Sequence, residues 1–268
     1  MAVRISFSFL SITLLLVSTS ALDKKIEPGS FGYSGANGPE RWGSLSPRFS
    51  VCSNGKSQSP VDIKKGILVQ NKNLVSLVRD YKPANATLIN NGFNIGIHFG
   101  GNVGGFTEGG KNYNLIQIHW HSPSEHLIDG HQAAAELHLV HQANDGSYSV
   151  IGVLYEIGNL DPLVAKVQNK LVELAKENCA ATEEAHIALG TFDVKYFRRR
   201  SRKYFRYVGS LTTPPCTENI TWTVLAKVRS ISMQQLDLLK APLQAAYKNN
   251  ARPVQPLNER KIEAYKEA

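Results

Sequence analysis

Residues 115–126 read LIQIHWHSPSEH and carry three histidines and a glutamate. Imidazole nitrogens bind metals and carry protons, and a carboxylate or amide behind them can fix their orientation. Gln117, His119 and His121 alternate with Ile116, Ile118 and Trp120. Successive side chains of a strand point to opposite faces, so this spacing predicts one metal-capable face and one apolar face. A second stretch, AAAELHLVHQ, sets Glu136, His138 and Val140 on one side and Leu137, Leu139 and His141 on the other. If the two strands pair, His138 reaches an ion held by His119 and His121. Three neutral imidazoles with an open fourth position make a catalytic zinc site rather than a closed structural one. Copper or cobalt would accept the same donors, but three nitrogens and a water make zinc the default. A His-x-His pair alone is a weak signal; the third histidine is what makes it specific. His126 and His131 fall in the connection and His141 on the far face, so these read as surface or hydrogen-bonding residues.

The elements that must position these groups are mostly strands. ATLINNGFNIGIHF has a turn at Asn90-Asn91-Gly92, followed by alternation that puts Ile95, Ile97 and Phe99 on one face. SYSVIGVLYEIG and ITWTVLAKV are further β-rich runs. Asp161 as N-cap and Pro162 at the first position open a helix with a stripe of Leu163, Val164, Val167, Leu171 and Leu174. SMQQLDLLKAPLQAAY predicts a second helix, bent or broken at Pro242. The expected fold is mainly β: one large, twisted, mostly antiparallel central sheet with a few peripheral helices.

Met1 to Ala21 has an early Arg4, an apolar run from Phe7 to Val17 and a small-residue end, the layout of a secretory signal peptide. The run is too short to span a bilayer, and no later segment is long enough, so no membrane insertion is expected. Residues 22–268 contain no linker, low-complexity tract or repeat and are read as one domain. The formal net charge is +8, spread along the chain apart from the cluster RRRSRK at residues 198–203. In a secreted chain this cluster reads as a solvated basic loop with weak affinity for anionic polysaccharide, not as a nucleic-acid site. An oxidising compartment predicts one disulfide among Cys52, Cys179 and Cys216. Three pairings are open. Cys52 lies in a Ser/Gly-rich loop and Cys216 follows Pro-Pro, whereas Cys179 ends a helical stretch, which favours Cys52–Cys216. Closing so long a loop stabilises by about 4–5 kcal/mol in the chain-entropy model. Sequons at Asn85 and Asn219 predict glycosylation, with Asn219 disfavoured by its nearness to Cys216.

QIHWHSPSEH, AAELHLVH and GSLTTPPCTENITW resemble the signature blocks of the α-class carbonic anhydrases, particularly their secreted plant members. GYSGANGPERW, SQSPVDI and RPVQPLNER match as well, so the resemblance spans the chain after the signal segment. It implies the α-carbonic anhydrase fold and zinc held by His119, His121 and His138. It implies reversible hydration of carbon dioxide to bicarbonate and a proton, with inhibition by aromatic sulfonamides. Thr212 would orient the attacking hydroxide and pass its own hydroxyl hydrogen to Glu125. Spacing alone would leave Glu125 on a surface loop. Gln117 and Glu136 would hold imidazole N–H groups, and Val140, Val150, Leu211 and Trp222 would form the apolar substrate pocket. The family's fast members carry a shuttle histidine directly after the NNG turn. Here that position is Phe93, which leaves His98 as the candidate proton shuttle.

Two other readings compete. One is a weakly active storage, binding or defence protein, which loss of a ligand histidine would favour; all three are present. The other is a zinc hydrolase, but no H-E-x-x-H helix supplies peptidase machinery. The expected localisation is secreted or extracellular, or an organelle such as the chloroplast reached through the secretory route. The expected assembly is a monomer or small homo-oligomer.

Overall fold

The computed structural model describes residues 29–177, 184–198 and 200–267. The signal-peptide segment and Cys179 lie outside them. Nine principal strands carry the architecture: β1 (Ala84–Asn90), β2 (Ile95–Gly100), β3 (Lys111–His121), β4 (Ala135–Ala143), β5 (Tyr148–Ile157), β6 (Ala185–Phe192), β7 (Lys203–Ser210), β8 (Glu218–Leu225) and β9 (Glu263–Lys266). With three short strands they make a twelve-stranded sheet, ordered β6–β1–β2–β3–β4–β5–β8–β7–β9 along its main path. Neighbours on this path are antiparallel except β5 and β8, which run parallel. The mainly β, largely antiparallel expectation holds, with that parallel seam in the middle and two short strands, Val69–Gln70 and Arg229–Ile231, also paired parallel.

Local chemistry explains the joints. At the β1–β2 turn the Asn91 side chain accepts from the backbone N–H of Phe93 and Asn94, and Gly92 takes φ 90°. A residue with a Cβ rarely adopts that conformation. Helix α1 (Pro162–Leu174) starts where the Asp161 carboxylate accepts from the N–H groups of Leu163 and Val164. Helix α2 (Met233–Lys240) stops two residues before Pro242, and the chain resumes as a single turn at Ala245–Tyr247. The proline ring and its missing N–H forbid a continuous helix there.

One face of the sheet is a dry core. Ile97, Ile118, Leu139 and Ile151 stand in register across β2 to β5, all fully buried. The apolar stripe of α1 covers them, its five residues buried in the same cluster. Burial of each such side chain contributes on the order of 1.5–3 kcal/mol. The strand alternation fails at one place. A register shift between Leu115 and Gln117 puts an extra residue in β3, so Leu115 enters this core. Ile116 instead packs with Val140 and Trp222 on the opposite side. It does not share the face of Ile118 and Trp120 as strict alternation predicts. A bulge leaves one residue unpaired and breaks the period of two.

Candidate metal centre

The pairing of β3 with β4 sets His119 directly opposite His138 and His121 opposite Glu136. Directly opposed residues project from the same face, so the three histidines meet above the sheet. Each ring has one nitrogen committed to an acceptor. His119 Nδ1 bonds Gln117 Oε1 at 2.8 Å, and His121 Nδ1 bonds the Asn250 carbonyl at 2.7 Å. His138 Nε2 bonds Glu136 Oε1 at 3.0 Å. None of these partners has a hydrogen to give, so each imidazole must be the donor. The opposite nitrogens, His119 Nε2, His121 Nε2 and His138 Nδ1, therefore carry lone pairs. The three residues offer ligand atoms within 4.8 Å of one another.

Two of these atoms, His138 Nδ1 and His119 Nε2, face each other at 3.3 Å, and His121 Nε2 is buried with no hydrogen-bond partner. Converging, unshared lone pairs in a dry site are costly unless a cation lies between them. Burial holds His119 well below the ordinary imidazole value, helped by His121 and His138, and pushes His121 down to about 4. Burial lowers His138 too, against the opposing pull of Glu136. Neutral rings are what a metal requires, and the donor set fits zinc. A second cluster, His126, Glu136 and His138, is also close enough to hold an ion. Its contacts are already explained by hydrogen bonding.

Glu136 is the hub of that bonding. Its Oε2 accepts from the backbone N–H of Glu125 and of His126, and its Oε1 accepts from His126 Nδ1 and His138 Nε2. Burial works to raise its pKa, but His126 and His138 outweigh it and hold the carboxylate well below its usual range. His126 Nε2 then meets the Tyr207 hydroxyl at 2.7 Å, which meets Ser59 Oγ at 2.8 Å. The chain is fully buried. Gly152, opposite both His138 and Val224, makes room for it: a Cβ there would lie 2.8 Å from Glu136 Oε1.

Glu125 is fully buried, not on a surface loop as spacing alone suggests. Its Oε1 accepts from the Arg252 N–H at 2.9 Å. Burial raises its pKa to about 7, against the lowering effects of His138, a hydrogen bond from the Thr212 side chain, and the Arg252 backbone. Thr212 is itself buried and lies in the loop between β7 and β8. Cys216 in the same loop is disulfide-bonded to Cys52, 164 residues away. The Arg252 guanidinium braces the Cys52 side, donating to Gln58 Oε1 and to the carbonyls of Ser59 and Cys52, and Gln58 Nε2 in turn donates to the Cys216 carbonyl.

Beside the histidines, Val140, Val150 and Trp222 stand in register across β4, β5 and β8, continuing the row of Gln117. All three are buried, and half-buried Leu211 packs with them. The Trp222 ring packs against His138 with centroids 4.7 Å apart. His98 is exposed and pairs opposite Gln117, two positions along from Gly96 opposite His119, so it shares the histidine face. Phe93 is half-buried in an aromatic group, 5.0 Å from the Phe31 ring. Asn85 and Asn219 are both exposed. His131 is exposed against Glu156, whereas His126 and His141 are wholly buried hydrogen-bonding residues, His141 with the Tyr81 hydroxyl.

Asn250, Arg252, Tyr207, Ser59 and Gly152 were not identified as site residues from the sequence. Arg252 and Ser59 do lie in the quoted RPVQPLNER and SQSPVDI blocks. Asn250 acts through a backbone carbonyl, and Gly152 through the absence of a side chain, so neither leaves a residue-type signal.

The family model described as eukaryotic-type carbonic anhydrase matches residues 37–266. Alpha carbonic anhydrase 7 of Arabidopsis thaliana is 40% identical over 262 residues, covering 97% of this chain and 94% of that protein. A crystal structure of dioscorin complexed with ascorbate superposes with TM-score 0.85 at 34% identity, covering 89% of this chain and 98% of the other. The α-carbonic anhydrase of Thermovibrio ammonificans, solved with sulfanilamide, superposes with TM-score 0.77 at 35% identity over 87% and 98% of the two chains. The family match runs over residues 37–266 and the fold superposes on these structures over most of the chain: the chain belongs to the eukaryotic-type carbonic anhydrase family.

Proposed function

We propose that this protein is a zinc-dependent carbonic anhydrase that reversibly hydrates carbon dioxide to bicarbonate and a proton. The observation that carries the reading is the set of three inward lone pairs beside an apolar wall. His119, His121 and His138 would hold the ion. When bound, zinc supplies the Lewis acidity that brings water to a pKa of about 7 in carbonic anhydrase, the type case of this effect. Gln117, the Asn250 carbonyl and Glu136 fix the three rings in the required tautomers. Thr212, close enough to Glu125 to lower its pKa, is assigned to give its hydroxyl hydrogen to that carboxylate and so to present a lone pair that accepts a proton from the nucleophile. That acceptance orients the attack. Val140, Val150, Leu211 and Trp222 exclude water and offer an uncharged surface to an apolar substrate. Phe93 cannot relay the released proton, and His98, exposed on the same face, is the titratable group assigned to export. Aromatic sulfonamides should bind here; the Thermovibrio ammonificans relative is solved in complex with the inhibitor sulfanilamide.

The test is stopped-flow carbon dioxide hydration by zinc-loaded, chelated and reconstituted protein. Activity should vanish with the metal and return with it. A second reading, small-molecule binding without turnover, draws on the likeness to dioscorin complexed with ascorbate. Stoichiometric zinc with no hydration above background would decide for it.

The Cys52–Cys216 disulfide supports passage through an oxidising compartment. Among the described residues no helix is long and apolar enough to cross a membrane. We place the protein in the secretory route, with Met1 to Ala21 as its signal and Asn85 and Asn219 as glycosylation sites.

A further inference from the structure

Arg200, Arg202 and Lys203 of the basic cluster are exposed, as a solvated basic loop would have them. Together with Ser201 they form one wall of a cavity of about 730 Å³, within the roughly 300–1,000 Å³ of small-ligand sites. Arg79, Arg200, Arg202, Lys203, Lys227 and Arg229 line it, with no carboxylate among the described lining residues. These cations come from three separate stretches of chain: ahead of β1, at the start of β7 and just after β8. They surround one concavity rather than following a ridge. Its apolar floor includes Val153 and Leu225, each one position along from the Gly152–Val224 pair and so on the sheet face opposite the histidines. The cavity is therefore separate from the metal centre.

Several of the cations are held in place beforehand. Arg229 is bound through Nε and a terminal nitrogen to Asp161 Oδ2 and lies 4.9 Å over the Phe197 ring. Arg200 and Arg202 share Glu267. Arg79 is only 5% exposed and donates to Ser201 Oγ at 2.8 Å. Burial lowers its pKa, the mark of a cation kept partly out of water.

We propose that this cavity is a binding site for a compact organic polyanion, one carrying several sulfate, phosphate or carboxylate groups on a body small enough to enter. Recognition is by Arg and Lys donors converging on the anionic groups, with ring or chain carbons resting on half-buried Tyr196 and Ala226.

Isothermal titration of the zinc-loaded full chain with myo-inositol hexasulfate at 150 mM salt tests this, since that probe does not strip zinc. One molecule should bind per chain with micromolar affinity. Lys203→Glu with Lys227→Glu, both exposed at the rim, should weaken binding at least tenfold and leave zinc content and hydration rate unchanged. The matched reversal of exposed Lys56 and Lys248, outside the lining, should shift affinity less than twofold, because screening at this salt acts over about 8 Å. Titrating inositol hexakisphosphate and benzene tricarboxylate separately ranks the anionic group preferred. No binding at 1 mM probe, or equal weakening by both double variants, would overturn the site. So would binding of long heparin chains but not of the hexasulfate, which would indicate an extended surface instead.

Discussion

Replacing Gly152 with alanine adds a single methyl group behind the metal centre, and its consequence can be worked through from contacts. The new Cβ would lie 2.8 Å from Glu136 Oε1, closer than real Cβ contacts, but at an ordinary 3.5 Å from Val224 Cγ2. Only the carboxylate is in the way. Glu136 has little freedom to move, since its Oε2 holds two backbone N–H groups and its Oε1 holds His126 and His138. The displaced atom is the one that orients the His138 ring. Hydrogen bonds to a charged group are worth about 1.5–3 kcal/mol each. Loss of an outer partner of a metal-binding histidine typically costs 10–100-fold in metal affinity, or about 1.4–2.8 kcal/mol. Gly152→Ala should therefore raise the zinc dissociation constant about 10–100-fold in a chelator competition assay. The effect should disappear in a Glu136→Ala background, where the methyl has free space; such non-additivity is expected only of residues in contact. Unchanged zinc affinity in the single variant, or the same loss in both backgrounds, would refute the steric account.

Three further outcomes are expected. His121→Ala should lose both tight zinc and hydration activity, measured by metal analysis and stopped flow, because it removes one of the three converging lone pairs. Reducing Cys52–Cys216 should lower stability by up to about 5 kcal/mol for a 164-residue separation. The loss should reach activity, since Arg252 bonds both the Cys52 carbonyl and Glu125; denaturant melts and rate assays before and after reduction check both. Small imidazole buffers should raise turnover in dilute solution, Phe93→His should raise it without them, and His98→Ala should lower it. Maximal turnover in dilute buffer that His98→Ala leaves unchanged would remove proton export as the limiting step.

Much of the candidate centre was legible because strand geometry has a period of two. That period alone places His119 and His121 on one face of β3 and Glu136, His138 and Val140 on one face of β4, and pairing then brings the sets together. Asp161 and Pro162 announced α1, because a cap and a preset φ act within one turn of chain. Such signals are local, so residue types and spacing carry them.

The remainder depended on chain segments far apart in sequence. The bulge that sends Ile116 to the substrate side arises from how β3 fits β4, not from either strand alone. Glu125 has no burial signature, yet Arg252, 127 residues away, gives its backbone N–H to it. His126 became an interior link between Glu136 and Tyr207 only when β7 closed over it. The basic cluster is solvated as its composition suggests, but that Arg79, Lys227 and Arg229 stand around the same cavity was not legible in its spacing. Periodicity and caps settle which way a side chain points from its own element. What it then meets is set by the docking of other elements, through backbone carbonyls, missing Cβ atoms and cross-chain charges that one-dimensional spacing does not encode.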